Sequence, residues 1–324
     1  MPNELSQWQE DFLDRHQLPR TYLTHAQKWY SPLAESLAAH QIGADRPILV
    51  AVNGSQGSGK TTVCDYLRVA LEADYGLAVL SLSLDDFYLT REQRRNLAQS
   101  VHPLLATRGV PGTHDMSLLK HSLDALLDPV RSGSVAIPRF DKATDDRYPS
   151  AEWEQVNHGV DLVLLEGWCM GARPQSTAQL TEPVNALECN EDPDGHWRAY
   201  INTVLARDFL PLYQRVDQWI MLRAPSFACV YRWRLEQEQK LAASAVAGEP
   251  DRRMDAAQVA RFIHYYERLT NHCLEHLPER VQHLFTLDEQ RQVTAYCQPQ
   301  CRRIERRRFS MATGGPSFPG HSCG

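Results

Sequence analysis

The chain has 324 residues, of which 43% are hydrophobic and 23% are charged, as in an ordinary globular protein. Its formal net charge of -6 argues against a dedicated nucleic-acid binder. No apolar run reaches the roughly 18 residues that a membrane-spanning helix needs, so no membrane association is expected. The N-terminus lacks the apolar core of a signal peptide, and the eight cysteines form no C-x-x-C pair. These features favour a cytoplasmic protein with reduced thiols.

The predicted elements alternate between helices and strands. Residues 1–45 carry two apolar stripes at helical spacing, which predicts a helical extension. The continuous apolar run 47–52 predicts a buried parallel strand, followed by a glycine-rich turn and a helix over about 60–73. Four more strands are predicted at 77–84, 162–165, 219–222 and 281–287, and further helices at about 115–127, 203–215, 226–242 and 255–276. This alternation predicts an α/β fold with a parallel five-stranded sheet flanked by helices.

Polar residues follow three of these strands. They are found at Gly54–Lys60, Asp85–Asp86 and Glu166–Gly167. In a parallel α/β sheet, ligands bind outside the carboxyl ends of the strands, so these three segments are expected to form one site. Two stretches rich in Pro, Gly, Arg and Asp, 90–113 and 138–160, are predicted to be long ligand-binding loops above the sheet.

The segment from Gly54 to Thr61 reads GSQGSGKT and matches the pattern G-x-x-x-x-G-K-[ST]. In this pattern the glycines let backbone N–H groups surround phosphate oxygens, the lysine reaches the β- and γ-phosphates, and the hydroxyl binds Mg²⁺. The motif therefore predicts a P-loop NTPase fold that uses ATP and Mg²⁺. The predicted nucleotide-binding residues of this loop are Gly54, Ser55, Gln56, Gly57, Ser58, Gly59, Lys60, Thr61 and Thr62.

Carboxylates at two strand ends suit phosphoryl transfer. Either Asp85 or Asp86 could orient an acceptor hydroxyl near the γ-phosphate, with Asp85 favoured; the alternative is that the side chain only caps a turn. Glu166 could hold Mg²⁺, directly or through water, or could instead cap a helix. The chain has neither the N-K-x-D motif of guanine readers nor an L-S-G-G-Q signature.

Six motifs together carry a family resemblance: GSQGSGKTT, SLDDFYLT, RGVPGTHD, IPRFDK, LLEGWCMG and VYRWRLEQE. From about Pro47 to about Asp288 the chain resembles the plant-type D-glycerate 3-kinases. These lie within a wider group that includes uridine kinase, phosphoribulokinase and bacterial pantothenate kinase. The resemblance implies a P-loop kinase domain over 46–297, between the extension 1–45 and a polar, basic tail over 298–324 that is expected to be disordered. It also implies that the acceptor is D-glycerate and the product 3-phosphoglycerate.

The resemblance assigns roles to individual residues. It implies catalytic roles for Lys60, Asp85 and Glu166, and metal binding by Thr61 and Glu166. It also places Arg232 and Arg234 in a lid over ATP. These two arginines are two apart on a predicted helix and do not share a face, so one of them is expected to face the phosphates. The residues implied to contact the acceptor are Asp86, Tyr88, Arg108, Arg139 and Lys142.

A carboxylate-bearing acceptor needs a cation, and Arg147 is a fourth candidate beside Arg108, Arg139 and Lys142. The stretch after Lys142 and the segment 171–200 depart from the family pattern, which leaves other acceptors open: a nucleoside, pantothenate or another sugar acid. A non-catalytic ATP-binding regulator is the alternative from another class. His272 to His276 also matches the H-x-x-E-H motif of some zinc peptidases, but a partly exposed helix face is the preferred interpretation.

Overall fold

A computed structural model describes residues 5–130, 133–244 and 256–298. Apart from residue 298, the tail predicted to be disordered lies outside these ranges. Within them, no helix combines the length and the apolarity that crossing a bilayer requires.

Ten strands are present in the described ranges: β1 (Ile48–Gly54), β2 (Val79–Ser83), β3 (Val135–Ile137), β4 (Phe140–Asp141), β5 (Asp146–Arg147), β6 (Glu154–Val156), β7 (Leu162–Gly167), β8 (Gln218–Arg223), β9 (His283–Leu287) and β10 (Val293–Cys297). Six of these form one sheet in the order β10-β9-β8-β1-β7-β2. The five strands from β9 to β2 are all parallel, which confirms the parallel core predicted from the sequence.

The sheet has one strand more than the five that were predicted. β10 pairs antiparallel with β9 at the edge of the sheet. The turn that joins them, residues 288–292, contains no glycine or proline, so the usual signals of a hairpin are absent from it.

The described part of the chain also contains twelve helices: α1 (Gln7–His16), α2 (Thr21–Trp29), α3 (Ser31–Ala44), α4 (Lys60–Tyr75), α5 (Arg91–Ser100), α6 (Met116–Leu126), α7 (Thr177–Thr181), α8 (Ala186–Glu191), α9 (His196–Val204), α10 (Leu210–Tyr213), α11 (Phe227–Ser244) and α12 (Ala256–His276). Short 3₁₀ or π turns add to these at Leu84–Phe87, Pro103–Ala106, Ser150–Glu152 and Leu205–Phe209.

The central strand β1 separates the two halves of the core. Leu49 and Ala51 pack into the apolar cluster on one face of the sheet, whereas Ile48, Val50 and Val52 pack into the cluster on the other. Because successive side chains of a strand point to opposite faces, a strand buried on both faces has a continuous apolar sequence. Helices α1 to α3 join the second cluster. The domain boundary at residue 45 stays a prediction.

The long loops predicted above the sheet are more ordered than the sequence suggested. The first half of 90–113 is the helix α5, so the loop prediction was wrong there. Thr90 and Gln93 form a capping box: the Gln93 N–H donates to Thr90 Oγ1 at 3.2 Å, and the Thr90 N–H donates to Gln93 Oε1 at 2.8 Å. The T-x-x-Q signal for this helix start was present in the sequence. The stretch 138–160 contains β4 paired with β5, and β6 paired with β3.

Candidate active site

The phosphate loop connects β1 to α4. Gly57 has a φ of 76°, and a Cβ atom added to it would lie 2.8 Å from Trp233 Cβ on α11, so both the conformation and the space require glycine. Gly59 caps the helix, and Thr61 and Thr62 lie in its first turn. Three side-chain oxygens of the loop are buried and have no hydrogen-bond partner within the described part of the chain: Ser55 Oγ, Gln56 Oε1 and Ser58 Oγ. Such groups are expected where a ligand completes the hydrogen bonding.

Glu166 faces this loop from the neighbouring strand. It lies opposite Val52 in the parallel pairing of β7 with β1, which brings its side chain beside the start of α4. Thr61 Oγ1 donates to Glu166 Oε1 at 3.2 Å, and Lys60 Nζ lies 3.6 Å from Oε2. Oε2 is buried and accepts no hydrogen bond from any residue that the structure describes. A hydroxyl and a carboxylate at this position are the hard oxygen donors that Mg²⁺ prefers.

Asp85 lies just beyond β2, in the 3₁₀ turn Leu84–Phe87. Its Oδ1 accepts a hydrogen bond from the Tyr88 hydroxyl at 2.9 Å, and its Oδ2 accepts one from Lys142 Nζ at 2.8 Å. Burial would raise the pKa of Asp85, but the charges of Lys142 and Lys60 outweigh it and lower the pKa to about 2. Asp85 is therefore an ionised carboxylate at neutral pH, and it lies close enough to Lys60 to be influenced by its charge.

Asp86 has different neighbours. Its Oδ2 accepts a hydrogen bond from Arg139 at 3.0 Å, and its Oδ1 accepts one from the Phe140 N–H at 3.3 Å. Burial raises the pKa of Asp86, and the charge of Arg139 only partly offsets this effect. Arg139 also pairs with Glu154 on β6. Asp86 and Arg139, both predicted to contact the acceptor, are thus bound to each other and hold β4 beside the site.

Arg108 is held by the loop that joins β4 to β5. Its guanidinium pairs with the Asp145 carboxylate and lies 5.4 Å from the centre of the Phe140 ring. The next residue, Gly109, has a φ of 140°, and an added Cβ would lie 2.3 Å from the Tyr266 hydroxyl oxygen. The glycine lets α12 approach this loop closely, which fixes the backbone on which Arg108 is placed.

Arg94 on α5 is a supporting residue that sequence reasoning missed. Its side chain is 1% exposed, donates to the Asp145 carbonyl oxygen at 2.7 Å and lies 3.0 Å from the Asp145 carboxylate. It also donates to the carbonyl oxygens of Leu89 and Ala106. Arg94 therefore anchors the same aspartate that holds Arg108. An arginine in a strongly polar helix carries no sequence signal of burial, so this role was not foreseeable from the pattern.

The Arg147 side chain is 11% exposed, and its Nε is buried without a hydrogen-bond partner in the described part of the chain. Arg147 donates to the Tyr88 carbonyl oxygen at 2.7 Å and to the Asp115 carboxylate at 3.2 Å. Asp115 also caps α6, because its Oδ1 accepts a hydrogen bond from the Leu118 N–H at 3.0 Å. The buried His114 ring stacks on Tyr88 with 4.5 Å between the ring centres.

The two lid arginines point in different directions, as their spacing predicted. Arg232 is 51% exposed, and its guanidinium pairs with Glu289 at 3.1 Å. Arg234 lies over the Phe262 ring at 5.1 Å, and its charge, like that of Arg108, influences the pKa of Tyr266. Arg234 therefore lies on the side of α11 that packs against α12. The nucleotide contacts of Arg232 and Arg234 stay predictions, although α11 turns Arg232 outward.

No protein-family model matches the chain. The chain is 31% identical over 259 residues to an uncharacterized kinase, mug58, of Schizosaccharomyces pombe, a match that covers 78% of this chain and 86% of that protein. It is 28% identical over 232 residues to the chloroplastic D-glycerate 3-kinase of Arabidopsis thaliana. That second match covers 68% of this chain and about half, 47%, of the plant enzyme.

A solved structure completes the comparison. The D-glycerate 3-kinase from Cryptococcus neoformans aligns with a TM-score of 0.65 and 26% identity, over 82% of this chain and 99% of that one. The chain belongs to the glycerate 3-kinase-type family of P-loop kinases. It is therefore an ATP-dependent phosphotransferase with an alcohol acceptor.

Proposed function

We propose that this kinase transfers the γ-phosphoryl group of Mg-ATP to the 3-hydroxyl of D-glycerate and forms 3-phosphoglycerate. The observation that carries the proposal is Asp85, an ionised carboxylate at the strand end beside Lys60 and within 2.8 Å of a third charged group, Lys142. The names of the plant and Cryptococcus relatives support the choice of acceptor.

On the nucleotide side, the backbone N–H groups of the loop between Gly54 and Lys60 bind the phosphates, and Lys60 reaches the β- and γ-phosphates. Thr61 and Glu166 would hold Mg²⁺, since Glu166 Oε2 is buried and accepts no hydrogen bond in the described chain. When bound, Mg²⁺ neutralises phosphate charge that develops during transfer. Arg234 adds a second cation from α11.

On the acceptor side, Asp85 accepts a hydrogen bond from the 3-hydroxyl and turns its oxygen toward the γ-phosphorus. Phosphoryl transfer has a loose transition state, so this positioning contributes more than strong basicity would. In the free enzyme the carboxylate is ionised, with a pKa of about 2, and this pKa rises when Lys142 turns away. Asp85 then takes the hydroxyl proton as the new O–P bond forms and the bond to ADP breaks, and it releases the proton to solvent. Tyr88 holds the other oxygen of Asp85 and fixes its orientation.

The acceptor carboxylate needs a cation that can change partners. Lys142 is 63% exposed, and its ammonium group needs only to rotate away from Asp85 to meet an incoming carboxylate. Arg108 is the second candidate. Its partner Asp145 is itself held by Arg94, so this ion pair is harder to exchange than the pair of Lys142 with Asp85. Binding of glycerate would then release Asp85 from Lys142 and leave it to accept from the hydroxyl.

The test is direct identification of the product. Purified protein is incubated with Mg-ATP and D-glycerate, and the phosphorylated product is followed by ³¹P NMR with authentic 2- and 3-phosphoglycerate as standards. The 3-phosphate is expected. Formation of the 2-phosphate would contradict the proposed regiochemistry, and absence of any phosphorylated glycerate would contradict the acceptor.

We also propose a cytoplasmic location. Six cysteines in the described ranges are free thiols, as expected in a reducing compartment: Cys64, Cys169, Cys189, Cys229, Cys273 and Cys297. Cell fractionation that placed the protein in an oxidising compartment would contradict this part of the proposal.

A further inference from the structure

Arg291 lies in the tight turn between β9 and β10 in an unfavourable backbone conformation. Its φ is 66°, in the left-handed region that glycine adopts freely and side-chain-bearing residues avoid. The turn closes with the Arg291 N–H donating to the Asp288 carbonyl oxygen at 3.1 Å, and the Asp288 N–H donating to the Gln292 carbonyl oxygen at 2.9 Å. These are backbone contacts that glycine would make equally well. The turn alone therefore does not explain an arginine here.

The contacts of the Arg291 side chain explain why an arginine occupies this position. Its Nε donates to the Gly57 carbonyl oxygen in the phosphate loop at 3.0 Å, although 234 residues separate the two in sequence. Its Nη2 pairs with Glu236 on α11, and its guanidinium lies 5.4 Å from the centre of the Trp233 ring. The Trp233 indole N–H in turn donates to the Glu289 carbonyl oxygen in the same turn at 2.8 Å.

A phosphate loop has a specific need for such a donor. When successive N–H groups turn inward to surround phosphate, carbonyl groups turn outward, and a carbonyl enclosed by protein needs a partner. Gly57 is packed against protein, because an added Cβ atom would meet Trp233. Arg291 supplies the donor for its carbonyl, and the same side chain fixes α11, the helix that carries Arg234.

We propose that Arg291 is a positioning residue for the nucleotide. It holds the phosphate loop and α11 in one arrangement before ATP binds, so that less ordering is required on binding. The strained φ is retained because glycine, which would relax the turn, could not make these contacts. The inference rests on the ATP use of the proposed function, but not on the identity of the acceptor.

Two substitutions separate this role from simple support of the turn. Arg291→Ala and Arg291→Gly both remove the side chain, but only glycine relieves the backbone at a φ of 66°. We expect both variants to raise the Kd for Mg-ATP by about tenfold, the scale of one lost hydrogen bond to a charged group. We expect the Tm of the glycine variant to exceed that of the alanine variant. Isothermal titration calorimetry and thermal denaturation provide the two readouts.

A matched control is available at the end of α3. Asp45 is exposed, has a φ of 52° and makes no hydrogen bond to the phosphate loop in the part of the chain that the structure describes, so Asp45→Gly relieves a similar backbone strain elsewhere. It should leave the Kd for Mg-ATP unchanged. Glu236→Gln removes only the ion pair to α11 and should raise the Kd less than either substitution of Arg291.

The outcomes are distinct. If Arg291→Gly binds Mg-ATP as tightly as the wild type, or if affinity merely follows Tm across the variants, the positioning role is refuted. In steady-state assays the KM for ATP should rise in both Arg291 variants while the KM for D-glycerate stays constant. If the wild type binds Mg-ATP but phosphorylates no glycerate, the proposed acceptor fails, whereas the calorimetric comparison still decides the role of Arg291.

Discussion

The nucleotide half and the acceptor half of this site differ in how their polar groups are satisfied. In the phosphate loop, buried oxygens of Ser55, Gln56 and Ser58 lack hydrogen-bond partners within the described chain, and so does one oxygen of Glu166. On the acceptor side, the buried atoms without such a partner are nitrogens, Arg147 Nε and the two ring nitrogens of His114, and each of the four candidate acceptor cations already has a carboxylate partner. The pairs are Lys142 with Asp85, Arg139 with Asp86, Arg108 with Asp145, and Arg147 with Asp115.

This difference indicates two modes of binding. The nucleotide half is preorganised, and a phosphate would complete its hydrogen bonds. Under the proposed function, the acceptor carboxylate would replace an internal carboxylate at one of these cations, so one ion pair is lost for the one that forms. Lys142 is the least buried of the four cations and therefore the one whose pair with Asp85 is easiest to exchange.

The largest expected effect follows substitution of Asp85, whose pKa is lowered both by Lys142 of the acceptor half and by Lys60 of the nucleotide half. Asp85→Asn keeps the shape of the side chain but removes its charge, and kcat should fall by about a hundredfold or more, the scale seen when one preorganised charge is lost. Steady-state ADP release measures this effect. Asp86→Asn is the companion variant, since it has the same chemistry but lies against Arg139. Normal turnover in Asp85→Asn together with loss in Asp86→Asn would mean that the wrong carboxylate was chosen.

Lys60→Ala tests the nucleotide half. Its ammonium group is the cation of the phosphate loop, and its removal should also lower kcat by about a hundredfold or more. The Tm should fall as well, because the buried Glu166 carboxylate loses its cation, so kcat is measured well below the unfolding transition. Unchanged kcat in a folded Lys60→Ala protein would show that the loop does not position the transferred phosphate.

Glu166→Gln should act through the metal. The glutamine amide is neutral and binds Mg²⁺ more weakly than a carboxylate does. The Mg²⁺ concentration that gives half-maximal activity should therefore rise by about tenfold. The rate at saturating Mg²⁺ should recover in part. A variant with the Mg²⁺ dependence of the wild type would remove Glu166 from the metal site.

Lys142→Ala should give the smallest effect on turnover but a diagnostic one. The KM for D-glycerate should rise by several-fold, about the value of one charge-assisted contact, while the KM for ATP is unchanged. A selective rise in the KM for ATP instead would place Lys142 on the wrong half of the site.

The same variant should alter the pH profile. In the wild type the Asp85 carboxylate, with a pKa of about 2, loses its charge only in strong acid, so Asp85 produces no acid limb above that range. Without Lys142, its charge and its hydrogen bond no longer lower the pKa of Asp85, so this pKa rises. The pH at which kcat/KM, which reports the free enzyme, falls on acidification should therefore move upward in Lys142→Ala. An unchanged profile would show that Lys142 does not stabilise the charge of Asp85.

The structural features that were predicted best are those that depend on residues close together in the sequence. The phosphate loop and the five parallel strands follow from local patterns, and the outward turn of one lid arginine follows from helix geometry. The start of α5 was also encoded locally, in Thr90 and Gln93, but the proline- and glycine-rich sequence that follows obscured it. The sixth strand was missed because its turn lacks the usual residues.

Side-chain partners could not be predicted, because they join distant parts of the chain. Arg94 meets Asp145 across 51 residues, and Arg291 meets Gly57 across 234. Nothing in the local pattern separates such an arginine from a solvated surface charge. For the same reason, Arg108, Arg139 and Lys142 could be predicted from the sequence as acceptor-binding cations. The carboxylate partner of each could not be predicted.

The most direct test of the central claim is ADP release by the purified protein with Mg-ATP and a panel of acceptors. The panel contains D-glycerate, L-glycerate, uridine, pantothenate and ribulose 5-phosphate. Strong stimulation by D-glycerate alone is the predicted result. Preferential stimulation by another acceptor would contradict the substrate, and ATP binding without stimulation by any of them would favour a regulatory ATP-binding protein over the proposed kinase.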